Sequence, residues 1–128
     1  MKPETQKWVN KAEGDWNSAQ REAAVTQSPT HDVVCYLSQQ CAEKYLKARL
    51  VEAAVLFRRT HDLEELLNAV LPIEPAWHVL LQDLRFLVSF AVAVRYPDID
   101  ATQADAQDAF ACCQRVRQTI RTAFGLAV

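Results

Sequence analysis

Hydrophobic positions along this chain recur at spacings of three and four, the repeat of an amphipathic helix. Trp8, Ala12, Trp16, Ala19 and Ala23 form one such stripe and predict a first helix from about Thr5 to Thr26, ended by Ser28-Pro29-Thr30. Gly14 inside it reads as a point of close packing. A second helix is expected from His31 or Asp32 to about Phe57. It carries Val34, Leu37, Cys41, Tyr45, Ala48, Glu52 and Val55 on one line, with Leu46, Leu50 and Ala53 beside it. So wide an apolar arc marks a central helix with several neighbours.

Arg58-Arg59 follows, where cations suit the negative end of a helix. Thr60 then reads as the N-cap of a short third helix from His61 to about Val70. A fourth spans about Ala76 to Val94. Leu80, Leu84, Leu87, Ala91 and Val94 are its main stripe, Trp77, Leu81 and Val88 widen it, and Phe86 and Phe90 stand on another side. An element apolar around its circumference is central or half-covered by a second subunit. Arg95-Tyr96-Pro97 closes it, because proline cannot continue the ladder. Asp100 or Thr102 opens a fifth helix to about Phe124, with Ala106, Phe110, Cys113, Val116, Ile120 and Ala123 inward and Arg115, Arg117 and Arg121 on the other side.

No period-two alternation argues for a strand. The expected fold class is therefore all-α, an up-and-down bundle of four or five helices. With 128 residues and no repeat, linker or low-complexity segment, the whole chain, 1–128, is expected to be a single domain. Half of the residues are hydrophobic, which excludes a disordered chain. No apolar run reaches membrane-spanning length, and Met1-Lys2-Pro3-Glu4-Thr5 has no signal-peptide character, so a cytoplasmic protein without membrane contact is expected. The formal net charge of −2 leaves out the global basic excess of a sequence-independent nucleic-acid binder, though not a local basic patch. Cys35, Cys41, Cys112 and Cys113 do not form paired metal knuckles and read as small buried hydrophobes, so neither metal nor cofactor is expected.

Polar residues interrupt the apolar pattern at three places. Gln40, Glu43, Lys44 and Lys47 share one face of the second helix. They read either as a solvated face with a Glu43–Lys47 pair or as a polar site. His61-Asp62 stands at the third helix start, where His61 either helps capping and packing or serves as acid, base or ligand. Arg95-Tyr96 ends the fourth helix, where an arginine beside a ring and a proline turn can hold a phosphate in two places.

Taken in order, these pieces resemble a HEPN domain, named for higher eukaryotes and prokaryotes nucleotide-binding. The matching segments are Trp8-x3-Ala12-x2-Asp15, Gln40-x-Ala42-Glu43-Lys44-x-Leu46-Lys47, Thr60-His61-Asp62-Leu63-x2-Leu66 and Arg95-Tyr96-Pro97. The resemblance implies a helical bundle, similar also to nucleotidyltransferase substrate-binding domains, that forms a homodimer through its central helices and binds nucleotides or RNA. Small prokaryotic members are often encoded beside a minimal nucleotidyltransferase and can form a toxin–antitoxin pair with it.

Many toxic members are metal-independent endoribonucleases with an Arg followed four to six residues later by a His. This chain departs from that pattern. His31, His61 and His78 all precede Arg95, and none follows an arginine at that spacing. The resemblance is to the Arg-Tyr-Pro branch. Nucleotide or phosphate binding is expected of Gln40, Glu43, Lys44, Lys47, His61, Asp62, Arg95 and Tyr96. The alternatives are an endoribonuclease toxin using Arg95 with His61, and a structural dimerisation module without ligand.

Overall fold

The computed structural model describes residues 1–93 and 96–128, the backbone alone over 90–93. Its helices are α1 (Pro3–Ala23), α2 (His31–Glu52), α3 (Leu63–Val70), α4 (Leu81–Ala93) and α5 (Gln103–Ala123), with a 3-10 turn, Pro75–Leu80, leading into α4. No strand occurs among the described residues.

The helix ends follow from local chemistry, and several differ from the periodicity. Pro3 opens α1, where its missing N–H costs nothing. The helix stops at Ala23 because Ala24 and Val25 donate to Arg21 and Glu22 in tightened turns. α2 ends at Glu52, short of Phe57. Ala54 takes φ 57°, Val55 N–H donates to Leu50 O, and Ala54 N–H donates to Val51 O. That is a Schellman ending on an alanine, a conformation costing a non-glycine residue about 1 kcal/mol.

α3 is capped by Asp62, not Thr60. The Asp62 carboxylate accepts from Glu64 and Glu65 N–H at 3.0 and 3.2 Å, while Thr60 Oγ1 accepts from Asp62 N–H. The expected fourth helix is split, since Pro75 starts a 3-10 turn before the α-ladder begins at Leu81. Its Phe90, Ala91 and Val94 side chains lie outside the described residues. Thr102 and Asp105 form a reciprocal capping box at the start of α5. Gly125 is not helical. It sits just past α5 at φ 72°, closing a second Schellman turn with Leu126 N–H on Arg121 O. A Cβ built on Gly14 meets nothing within 4 Å, so close packing does not account for that glycine.

α2 is the central element, packed against α1, α3, α4 and α5. The expected wide arc is buried, with Val34, Cys41, Tyr45, Leu46, Ala48 and Leu50 all inside. Each large apolar side chain so buried contributes about 1.5–3 kcal/mol. α1 and α2 are antiparallel: Glu52 near the end of α2 accepts from Lys2 N–H and Thr5 Oγ1 near the start of α1. α2 and α5 run the same way. Asp32 accepts from Ala101 N–H at one end, and Arg121 donates to Tyr45 Oη toward the other. α4 returns antiparallel to α5, held by Arg115 on Asp83.

Candidate functional site

Four of the expected residues meet where the start of α3 docks against the middle of α2. Glu43 is 3% exposed and Lys47 7%, so they are not a solvated face. Lys47 Nζ donates to Glu43 Oε2 at 3.0 Å. Glu43 Oε1 stands 2.9 Å from His61 Nδ1, and the His61 side chain is 72% exposed. With Glu43 ionised and paired to Lys47, its oxygens only accept, so His61 presents Nδ1–H inward and leaves Nε2 facing outward. Gln40 joins through Gln39, donating from Nε2 to Gln39 Oε1 at 2.7 Å.

Gln39 was not among the expected residues, yet it is a hub. Its Nε2 donates to Glu43 Oε1 at 3.2 Å and to the His61 carbonyl at 3.3 Å. Both bonds pin the loop before α3 onto α2. The signal was present in the sequence: Gln39, Glu43 and Lys47 are spaced four apart and share one line of the helix.

Lys47 also lies over two rings, 5.6 Å from the Trp8 centroid and 6.0 Å from that of Phe57, which meet edge to face. Its charge is thereby held between a carboxylate and two aromatic surfaces. Carrying a charge this deep requires such partners, because an unpaired buried ammonium is very costly.

The other expected residues go elsewhere. Lys44 turns toward α1 and donates to Asp15 at 2.5 Å. Asp62 is spent on capping α3. Tyr96 is exposed, its carbonyl accepts from Ile99 N–H, and none of the bonds joining Gln39, Gln40, Glu43, Lys47 and His61 reaches it. Arg95 lies outside the described residues.

A second polar cluster was unexpected. Arg117 is buried, not outward, and donates from Nε to Glu13 Oε2 at 2.9 Å and from Nη2 to Glu13 Oε1. Tyr45 Oη donates to the same carboxylate, and Arg121 donates to Tyr45 Oη. Arg117 stacks 4.7 Å over Trp16, which lies parallel to Phe110 at 4.6 Å. Burial acts to raise the Glu13 pKa, but the bonds from Arg117 and Tyr45 and the two arginine charges outweigh it, holding Glu13 below the ordinary carboxylate value. Burial, then the Glu13 bond, push the Tyr45 hydroxyl well up. This cluster ties α1, α2 and α5 together and has no exposed reactive group. Its sequence signal was Arg117 beside the Cys113, Val116, Ile120 stripe.

Among the described residues no three His, Cys, Asp or Glu side chains converge as a metal set, and no helix is long and apolar enough to cross a membrane. The four cysteines are buried thiols.

A helical bundle whose central helix holds, through a buried carboxylate, an exposed imidazole from the loop before α3 is the class this geometry defines. The HEPN domain profile matches residues 5–123. The crystal structure of an archaeal HEPN homologue superposes with a TM-score of 0.73 at 28% identity, covering 96% of this chain and 98% of that one. Comparison with curated proteins finds no match. The chain belongs to the HEPN domain family.

Proposed function

We propose that this HEPN protein binds a nucleotide or an RNA phosphate around His61, as a homodimer and as the partner of a minimal nucleotidyltransferase, in a toxin–antitoxin-like pair. The observation that carries the reading is the exposed imidazole of His61 standing on the buried Glu43–Lys47 pair. A buried ion pair gains little over an apolar pair of equal volume, so its presence calls for another use. Here that use is to aim a ring. Protonated, His61 offers Nε2–H to a phosphate oxygen; neutral, it offers a lone pair. Gln40, Lys44, Asp62, Arg95 and Tyr96 complete the proposed set, Lys44 through a charge shared with Asp15. Family membership supports the homodimer and the nucleotidyltransferase partner without establishing either, and the apolar pattern of the fourth helical segment agrees with a covered face.

The test is thermal stability against a panel of nucleotides and short RNAs. A ligand at a hundred times its Kd stabilises the folded state by about 2.7 kcal/mol. A rise that disappears in both His61→Ala and Arg95→Ala is expected; no rise with any ligand overturns the binding reading. Light scattering reports the dimer, and co-purification with the neighbouring gene product reports the partner.

One observation favours a second reading. A carboxylate-oriented imidazole has the form of an acid–base group. An endoribonuclease using His61 with Arg95 would cut RNA without metal and lose that activity in His61→Ala.

A further inference from the structure

We infer that the groove over Trp8 is a stacking subsite for one unpaired base of single-stranded RNA, flanked by lysines that take its phosphates. This deepens the nucleotide-binding reading above and rests on it. Glu4, Lys7, Trp8 and Lys11 fall on one face of α1, and Lys44 reaches in from α2. Together they line an open groove of about 420 Å³.

Trp8 stands beside the buried stripe of α1, not in it. Val9, Ala12 and Trp16 carry the core, while Trp8 is partly exposed and opens on the groove. The indole meets Phe57 edge to face, with ring centroids 6.5 Å apart at 67°, and the Lys47 ammonium lies over one of its faces at 5.6 Å, so a base stacks on the other face. A fixed ring loses little freedom when a base stacks on it. Its lining carries three lysines, Lys7, Lys11 and Lys44, against one carboxylate, Glu4, and Lys44 is already held by Asp15. Lys11 makes no ion pair with any described residue, and Lys7 makes one loose contact with Glu4, 3.5 Å at high exposure, which leaves its charge available.

An aromatic face between cations is the recognition chemistry of unpaired nucleotides, where the ring takes the base and the lysines follow the backbone. A duplex keeps its bases stacked inside and cannot present one to Trp8. The net charge of −2 hides this patch, because Asp98, Asp100, Asp105 and Asp108 lie toward the opposite end of the bundle, by the start of α2. Lys47, which lies over the Trp8 ring, links that ring to the His61 cluster beneath the surface: Lys47 Nζ touches Glu43, and Glu43 touches His61.

Tryptophan fluorescence tests this directly, since Trp16 and Trp77 are buried and Trp8 is not. The full chain is titrated with an eight-nucleotide poly-U RNA, the matching DNA and a blunt RNA duplex. Quenching by the single strands and none by the duplex is expected. Trp8→Leu should remove the quench and weaken binding about tenfold, Trp8→Phe should keep most of the affinity, and Lys11→Glu, at an exposed site, should weaken binding severalfold and flatten its salt dependence. Single-strand binding without a quench, or with wild-type affinity in Lys11→Glu, overturns the subsite and leaves the His61 reading standing. Binding kept in Trp8→Leu but lost in His61→Ala has the same meaning. Failure of every oligonucleotide and nucleotide to bind overturns both.

Discussion

His61 Nδ1 and Glu43 Oε1 are 2.9 Å apart, one residue largely in solvent and the other almost fully enclosed. The buried partner sets the orientation and the exposed partner meets the outside. Eighteen residues separate them along the chain, and the link forms because Gln39 fastens the His61 carbonyl to α2.

Removing Glu43 should destabilise the fold more than removing His61. Glu43→Ala leaves Lys47 buried without its counter-charge, a change worth about 3 kcal/mol. The double variant Glu43→Leu, Lys47→Met should return to within about 1 kcal/mol of the parent, because the burial cost of both charges disappears together. Urea unfolding of the parent, Glu43→Ala, His61→Ala and the double variant measures this. A double variant as unstable as the single one would contradict it.

Glu13 should make stability sensitive to acid. Its folded pKa lies below the ordinary 4.5, through Arg117 and Tyr45 overcoming burial. Such a group contributes fully above its unfolded value, and the contribution is lost as pH falls through the depressed folded value. Glu13→Gln should cost about 1–2 kcal/mol near neutrality, and the gap to wild type should narrow as pH drops below 4.5. Denaturation curves across that range decide it; a gap independent of pH rules out the charge as its source.

Gly14→Ala should stabilise the protein by about 0.5–1 kcal/mol, the ordinary gain of alanine over glycine within a helix. Nothing lies within 4 Å of the added Cβ, and Gly14 is exposed. A fall in melting temperature would show that the glycine serves a contact outside the monomer.

The cysteines should resist alkylation in the native state. Burial, then the charges of Asp105 and Asp32, push the Cys35 thiol up to about 12. Burial, then Asp83, push Cys112 to about 11. The reactive thiolate is therefore scarce at pH 8. Iodoacetamide should label all four only with unfolding, as read by intact mass; fast labelling of Cys112 in folded protein would refute this.

Much of the fold was legible in the sequence because helical order is local. The three- and four-residue spacing located α1, α2 and α5, and the breadth of the apolar arc marked α2 as central. Helix ends were less legible, since the stop after Glu52 depends on Ala54 adopting a left-handed conformation that the sequence does not announce. At the site, the line through Gln39, Glu43 and Lys47 was written in the spacing, as was the presence of His61 before α3.

What the sequence by itself determined is the all-helical class, the family and the set of polar residues available to a site. Tertiary structure alone decided which of them meet. Lys47 is buried on Glu43 while Lys44, three positions earlier, turns to Asp15 on α1. Arg117 and Glu13, 104 positions apart, pair because α5 packs beside α1 across Tyr45. The reason is physical. Periodicity is set by bonds over four residues, whereas the partner of a buried charge is set by whichever helices the apolar faces bring together.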